Sequence, residues 1–257
     1  MQDLNIVIVQ ANQLWENKEG NLKHYEQLLN DISTVDLILF PEMFHTGFSM
    51  NANVLAETME NSIGIEWLKK IAREKNTAVF TSLIIKEQEH FYNRGLFIEP
   101  NGTISIYDKR KTFGLAGEDK IFSPGEKETI VSYKGWKIQL QICYDLRFPE
   151  LVRNRIEQDN HPAYDVILYV ANWPQKRNIH WKTLLKARAI ENQCYVIGVN
   201  RIGKDNNDLN YSGDSVCVDM LGEETTCKDE IEEIKIVTIS KVVLDSTRIM
   251  LPFLKDK

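Results

Sequence analysis

The stretch Trp136-Lys137-Ile138-Gln139-Leu140-Gln141-Ile142-Cys143-Tyr144-Asp145-Leu146-Arg147-Phe148-Pro149 changes pattern half-way along. Ile138, Leu140 and Ile142 alternate with Lys137, Gln139 and Gln141, the period of a strand with one apolar and one polar face. The alternation stops at Cys143, and Pro149 suits the first turn of a helix. Cys143 therefore stands on a strand-to-helix turn. Such a turn exposes a side chain and aims backbone N–H groups at it, as nucleophile elbows do. A helix N-terminus also favours thiolate. The plain alternative is a buried, inert cysteine, the usual state of this residue type.

Outward from this stretch, strand and helix patterns alternate. Upstream, Thr129 to Tyr133 faces Trp136 to Ile142 across Lys134-Gly135, which predicts a hairpin. A second hairpin is predicted across Pro100-Asn101-Gly102, between Phe91 to Ile98 and Thr103 to Tyr107. Ile6 to Val9, Leu37 to Phe40, Thr77 to Ile85, Val166 to Val170, Tyr195 to Val199, Val216 to Val218 and Ile234 to Ile239 read as further strands. Helical spacing runs through Leu22, Tyr25, Leu28, Leu29 and Ile32, then Ile63, Trp67, Leu68, Ile71 and Ala72, and again around Trp181 to Glu191. Buried strands with two antiparallel hairpins predict an α/β fold of mixed sheets covered by helices. With neither repeat nor low-complexity linker, residues 1–257 are expected to form one domain.

The chain has 257 residues, a net charge of −6 and 43% hydrophobic residues. The acidic balance argues against nucleic acid as a partner. No segment approaches the roughly 20 apolar residues of a membrane span. MQDLNIVIVQ does not read as a signal peptide, so a cytoplasmic protein is expected. Cys143, Cys194, Cys217 and Cys227 lack zinc-finger spacing and are expected as free thiols, without metal.

Two more residues follow strand ends, where open α/β sheets place ligands. Glu42 follows Phe40-Pro41, where partial desolvation would suit a carboxylate to acid–base work; the alternative is a loop glutamate in an ion pair. Lys109 lies in Tyr107-Asp108-Lys109-Arg110-Lys111-Thr112-Phe113, which otherwise reads as a solvated basic cluster. His180 offers a rival Cys–His pairing with Cys143, although a surface or capping role suits its place at the start of a helix.

Together, Phe40-Pro41-Glu42, the Tyr107 to Phe113 segment and Cys143 to Pro149 resemble the three signatures of the nitrilase superfamily, in order. The resemblance continues through Tyr169-Val170-Ala171-Asn172-Trp173-Pro174, Ala187 to Asn192 and Tyr211 to Ser215, and is similar in detail to the bacterial omega-amidase branch. It implies a four-layer α-β-β-α sandwich with two mixed sheets, assembled as a homodimer. It implies a Glu42–Lys109–Cys143 triad and a second glutamate, Glu118, ahead of Ser123-Pro124-Gly125. The implied chemistry is hydrolysis of the terminal amide of 2-oxoglutaramate or 2-oxosuccinamate through a cysteine thioester. Glu42 would move protons, while Lys109 and the Tyr144 N–H would hold the oxyanion. No cofactor is implied.

A 2-oxo acid monoamide carries a far carboxylate that needs a cation. Arg147 is the candidate nearest Cys143, against an ion pair with Asp145; Arg110, Lys111 and Arg201 are weaker. Trp173, Phe113, Phe44 and His45 are expected walls. An aliphatic amidase, an N-carbamoyl amide hydrolase or a non-catalytic protein on the same fold are the competing readings. The apolar tail Lys241 to Lys257 is expected to pack against something.

Overall fold

The computed structural model describes residues 2–158 and 160–256. Its first half runs β1 (Leu4–Gln10), α1 (Lys18–Leu28), β2 (Leu37–Leu39), α2 (Ala52–Leu55), α3 (Ile63–Glu74), β3 (Ala78–Glu87), β4 (His90–Ile98) and β5 (Ile104–Asp108). Its second half runs β6 (Ile130–Tyr133), β7 (Trp136–Ile142), β8 (Val166–Ala171), α4 (Asn178–Asn192), β9 (Tyr195–Asn200), β10 (Ile202–Lys204), β11 (Asn210–Ser212), β12 (Val216–Val218), β13 (Glu224–Thr226), β14 (Glu233–Ile239) and α5 (Lys241–Met250).

Local chemistry sets the ends of these elements. Asn17 caps α1 through Gly20 N–H, and Ser62 caps α3 through Ile65 N–H at 2.9 Å. Between β6 and β7, Lys134 and Gly135 both take positive φ, the geometry of a two-residue hairpin turn.

Twelve of the described strands pair into two six-stranded mixed sheets, ordered β14-β1-β2-β3-β4-β5 and β13-β12-β9-β8-β7-β6, and β10 pairs with β11 in a small two-stranded sheet. In each, three parallel strands are flanked by antiparallel ones. Leu4, Ile6 and Ile8 of β1 turn towards the second sheet and share a buried cluster with Ile138, Leu140 and Ile142. Val7 and Val9 turn the other way, onto Tyr25 of α1 and Ile65, Leu68 and Ile71 of α3. On the far side of the second sheet, α4 contributes Trp181, Leu185 and Ala189. Gly198 on β9 lets it approach: a Cβ there would stand 2.5 Å from Leu185. The result is the four-layer α-β-β-α sandwich. No helix among the described residues is long and apolar enough to cross a membrane.

Two expectations change. The polar face of β7 is not solvated: Gln139 and Gln141 are fully buried, because the second sheet is covered on both faces. Beyond Cys143 the chain forms two short 3-10 turns, Cys143–Arg147 and Pro149–Leu151, rather than an α-helix. The tail packs in part on its own chain. Leu244 enters the core, and Lys241 and Arg248 converge on Asp165, while Val242, Ile249, Met250 and Phe253 stay exposed.

Candidate active site

Three chain segments deliver charged side chains into one sealed space. Glu42 leaves β2 on a loop tied to β3: Thr81 Oγ1 donates to Pro41 O at 2.6 Å, and Met43 N–H donates to Ser82 Oγ at 2.9 Å. Lys109 follows β5, its N–H bound to Asn93 O at 3.0 Å. Glu118 starts a single 3-10 turn and accepts from Phe113 N–H at 2.5 Å. Glu42 and Glu118 are 0% exposed and Lys109 is 1% exposed.

Lys109 Nζ donates to Glu42 Oε1 at 2.8 Å and to Glu118 at 2.9 and 3.0 Å. Burial alone would discharge the amine. The charges of Glu118 and Glu42 outweigh it and push Lys109 above the usual lysine range. Glu118 is raised by burial and by the charge of Glu42, while Lys109 opposes the rise. Asn93 Nδ2 bridges the two carboxylates, 2.7 Å from Glu42 and 3.2 Å from Glu118. The second oxygen of Glu42 accepts from Asn172 N–H at 2.9 Å.

Cys143 sits at φ +45°, a left-handed conformation that a β-carbon makes costly, and Met43 beside Glu42 is at +44°. Its Sγ lies 3.9 Å from Asn172 O, so one residue of the β8 end touches both Cys143 and Glu42. Asp145 anchors the turn. It accepts from Tyr107 OH at 2.8 Å, Lys111 N–H at 2.9 Å and Ile142 N–H at 3.1 Å. That joins the Cys143 turn to both ends of the Lys109 segment.

A cavity of about 550 Å³ opens above Cys143, within the usual range of about 300–1,000 Å³ for small-molecule sites. Tyr144, Phe113, Trp173, Arg147, Phe48 and Trp15 are among its walls. Of the four residues singled out as catalytic, Cys143 alone lines it; Glu42, Lys109 and Glu118 lie behind. Among the described residues no cluster of His, Cys, Asp or Glu could hold a metal ion.

A carbon–nitrogen hydrolase family model matches residues 5–249. The chain belongs to that family. This carbon–nitrogen hydrolase is 44% identical to an omega-amidase (YafV) of Yersinia enterocolitica, over 87% of this chain and 84% of that one. It is 37% identical to the omega-amidase of Escherichia coli K12, covering all of this chain and 97% of the other. A crystallised CN-hydrolase superfamily protein of Xanthomonas campestris, with an arsenic adduct in its active site, superposes with a TM-score of 0.97 at 38% identity, over 100% and 98% of the two chains.

Several expected residues of this carbon–nitrogen hydrolase lie elsewhere. His45 is sealed away from the cavity, stacked on Phe44 and bound to Glu57 at 3.2 Å. Phe44 packs in the outer core with Tyr25 and Trp67. Arg201 is buried away from the cavity, with Nε donating to Ile202 O and Nη2 to Asn12 and Gln13, while Nη1 has no hydrogen-bond partner among the described residues. Lys111 stacks over Phe148. Arg147 makes no pair with Asp145, whose oxygens are taken by Tyr107 and two backbone N–H groups. It turns to the cavity instead, 4.8 Å over Trp173. His180 is exposed and bound to Arg147 at 3.1 Å.

The surroundings of Cys143 do not favour the thiolate. Burial first, then the charge of Glu42, raises the Cys143 thiol well above its ordinary range, and Lys109 only partly opposes this. One 3-10 turn supplies little dipole against those two effects. Asn93, Asn172 and Arg177 were not singled out as site residues from the sequence. Asn93 lies within a hairpin strand whose pattern signals only pairing. Asn172 and Arg177 flank Trp173-Pro174, where the strand-end position was the one available signal.

Proposed function

We propose that this enzyme is an omega-amidase, which releases ammonia from the terminal amide of short 2-oxo dicarboxylic acid monoamides such as 2-oxoglutaramate and 2-oxosuccinamate. The observation that carries the reading is Cys143 on the wall of a small-molecule cavity, backed by the solvent-free Glu42–Lys109–Glu118 group. Relatives named omega-amidase and, in Bacillus subtilis, 2-oxoglutaramate amidase at 33% identity support the substrate class.

In this mechanism Cys143 rests as a thiol, so attack needs a base at hand. Glu42 takes the Sγ proton as sulfur adds to the amide carbonyl. Lys109 can turn one of the N–H groups it gives Glu118 towards the oxyanion. The Tyr144 N–H, at the start of the 3-10 turn, is the second donor. Glu42 then passes its proton to nitrogen, the C–N bond breaks, and ammonia leaves a thioester on Cys143. A water gives its proton to Glu42 and adds to the thioester. The C–S bond breaks, sulfur recovers the proton, and the 2-oxo diacid departs. Glu118 touches Lys109, Asn93 and the Phe113 N–H rather than the cavity, so its role is to position Lys109.

The same reading makes the protein a cytoplasmic homodimer. Four buried free thiols suit a reducing compartment, and exposed Val242, Ile249 and Met250 on α5 suit a second copy. The test is ammonia release from both oxo amides, with Cys143→Ala as control and glutamine and asparagine for comparison, alongside mass in solution. Activity on the oxo amides that vanishes in the variant is expected. Activity confined to N-carbamoyl compounds or simple aliphatic amides would replace the substrate class.

A further inference from the structure

Two guanidinium groups face the cavity, and neither meets a carboxylate among the described residues. Arg147 lies 4.8 Å over the Trp173 ring and 5.9 Å over Tyr144. Arg177 lies 5.4 Å over Phe113. Trp173 links them, since its Nε1–H donates to Arg177 O at 2.8 Å. The two acids on the cavity wall are engaged by neighbouring groups. Glu16 accepts from Ser49 Oγ at 2.5 Å, and Asp205 accepts from Tyr211 OH at 2.9 Å and from Asn207 N–H at 2.8 Å. Stacking on aromatic faces holds a guanidinium in place while leaving its in-plane N–H groups open.

Arg147 is further oriented by His180. A guanidinium only donates, so His180 Nδ1, 3.1 Å from Nη2, is the acceptor in this contact.

We infer that Arg147 and Arg177 form a two-point clamp for the 2-oxo acid head of the substrate, and that Arg177 is a specificity-determining residue. The inference rests on the omega-amidase reading for the identity of that head. A 2-oxo carboxylate offers adjacent carboxylate and keto oxygens, a run of acceptors that suits planar N–H forks. With the head held at the arginines, the amide end reaches Cys143 on the same wall. The clamp also selects against amino acid amides. Glutamine carries the same carboxylate, but replaces the keto oxygen with an ammonium, which two unpaired guanidiniums repel.

The test compares wild type with Arg177→Met and Arg147→Met on 2-oxoglutaramate, glutamine and pentanamide, which lacks the head group. For either variant the ratio of kcat/KM on 2-oxoglutaramate to that on pentanamide should fall about 10- to 100-fold, mainly through KM, the weight of a charged hydrogen-bond pair. Discrimination against glutamine should shrink with it. An unchanged ratio overturns the clamp. So does an equal loss on both amides, which marks a structural role. If wild type ignores 2-oxoglutaramate, the omega-amidase reading fails, and the clamp is judged by Cys143 alkylation with iodoacetate and iodoacetamide. A preference for the anionic reagent that Arg177→Met abolishes supports the clamp, and equal behaviour of wild type and variant overturns it.

Discussion

Lys109 Nζ donates to Glu42 Oε1 across 2.8 Å, with both side chains closed to solvent. Glu118 completes the group, so one buried cation serves two carboxylates. Removing the cation leaves two uncompensated charges, whereas neutralising Glu118 leaves a matched pair. Lys109→Met should lose on the order of 3–5 kcal/mol of stability and at least about 10²-fold in kcat. Glu118→Gln should be milder in stability. Urea unfolding and ammonia release check this, and equal stability losses would contradict the charge argument.

Cys143 should behave as a protonated thiol. Alkylation by iodoacetamide should keep rising above pH 9 instead of levelling near neutrality. Cys143 should still label before Cys194, Cys217 and Cys227, since it lines the cavity and all four thiols are raised by burial. Peptide mapping over a pH series measures both. A plateau near pH 7 would show a thiolate.

Asp145 joins the Cys143 turn to the Lys109 segment, and burial pushes its carboxyl from 3.8 up to about 6. Between those values the folded chain binds more protons than the unfolded one. Its contribution therefore favours folding at low pH and is withdrawn as pH rises through about 6, at up to about 1.4 kcal/mol per pH unit. Asp145→Asn removes this dependence. It also leaves one backbone N–H without an acceptor, at about 1–3 kcal/mol. The difference in unfolding free energy between wild type and variant should change from pH 4 to 6 and flatten above 7; a flat difference throughout would contradict it.

Gly125 is required by close approach. A Cβ there would stand 2.2 Å from Asp108 O, and the Gly125 N–H holds Lys109 O at 2.9 Å. Gly125→Ala should move the Lys109 backbone, cost on the order of 1–3 kcal/mol and lower kcat. Thermal unfolding and initial rates equal to wild type would exclude this.

Much of this arrangement is legible along the chain. Lys134-Gly135 predicts its hairpin because the turn needs two positive φ values, and both are present. Glu42, Lys109 and Cys143 each follow a strand end, and those ends meet. Where alternation fails as a guide is β7, since Gln139 and Gln141 look solvated until the first sheet and α4 close the two faces of the second sheet. His45 comes three residues after Glu42, yet the turn at Met43 sends it away from the cavity, against Phe44 and Glu57. Asn93 carries no local signal because its role arises from two carboxylates that approach it from different segments.

The sequence by itself determined the long strands, though not the short β10, β11 and β13, together with the two hairpins and the three strand-end residues, since period, turn chemistry and strand-end position are local properties of a chain. Tertiary structure decided the rest. Whether Cys143 is a thiol, whether Lys109 stays charged and whether Arg147 meets Asp145 or the cavity depend on burial and on the balance of several charges in one space. Those quantities come into being only when the strand ends and loops of both sheets converge.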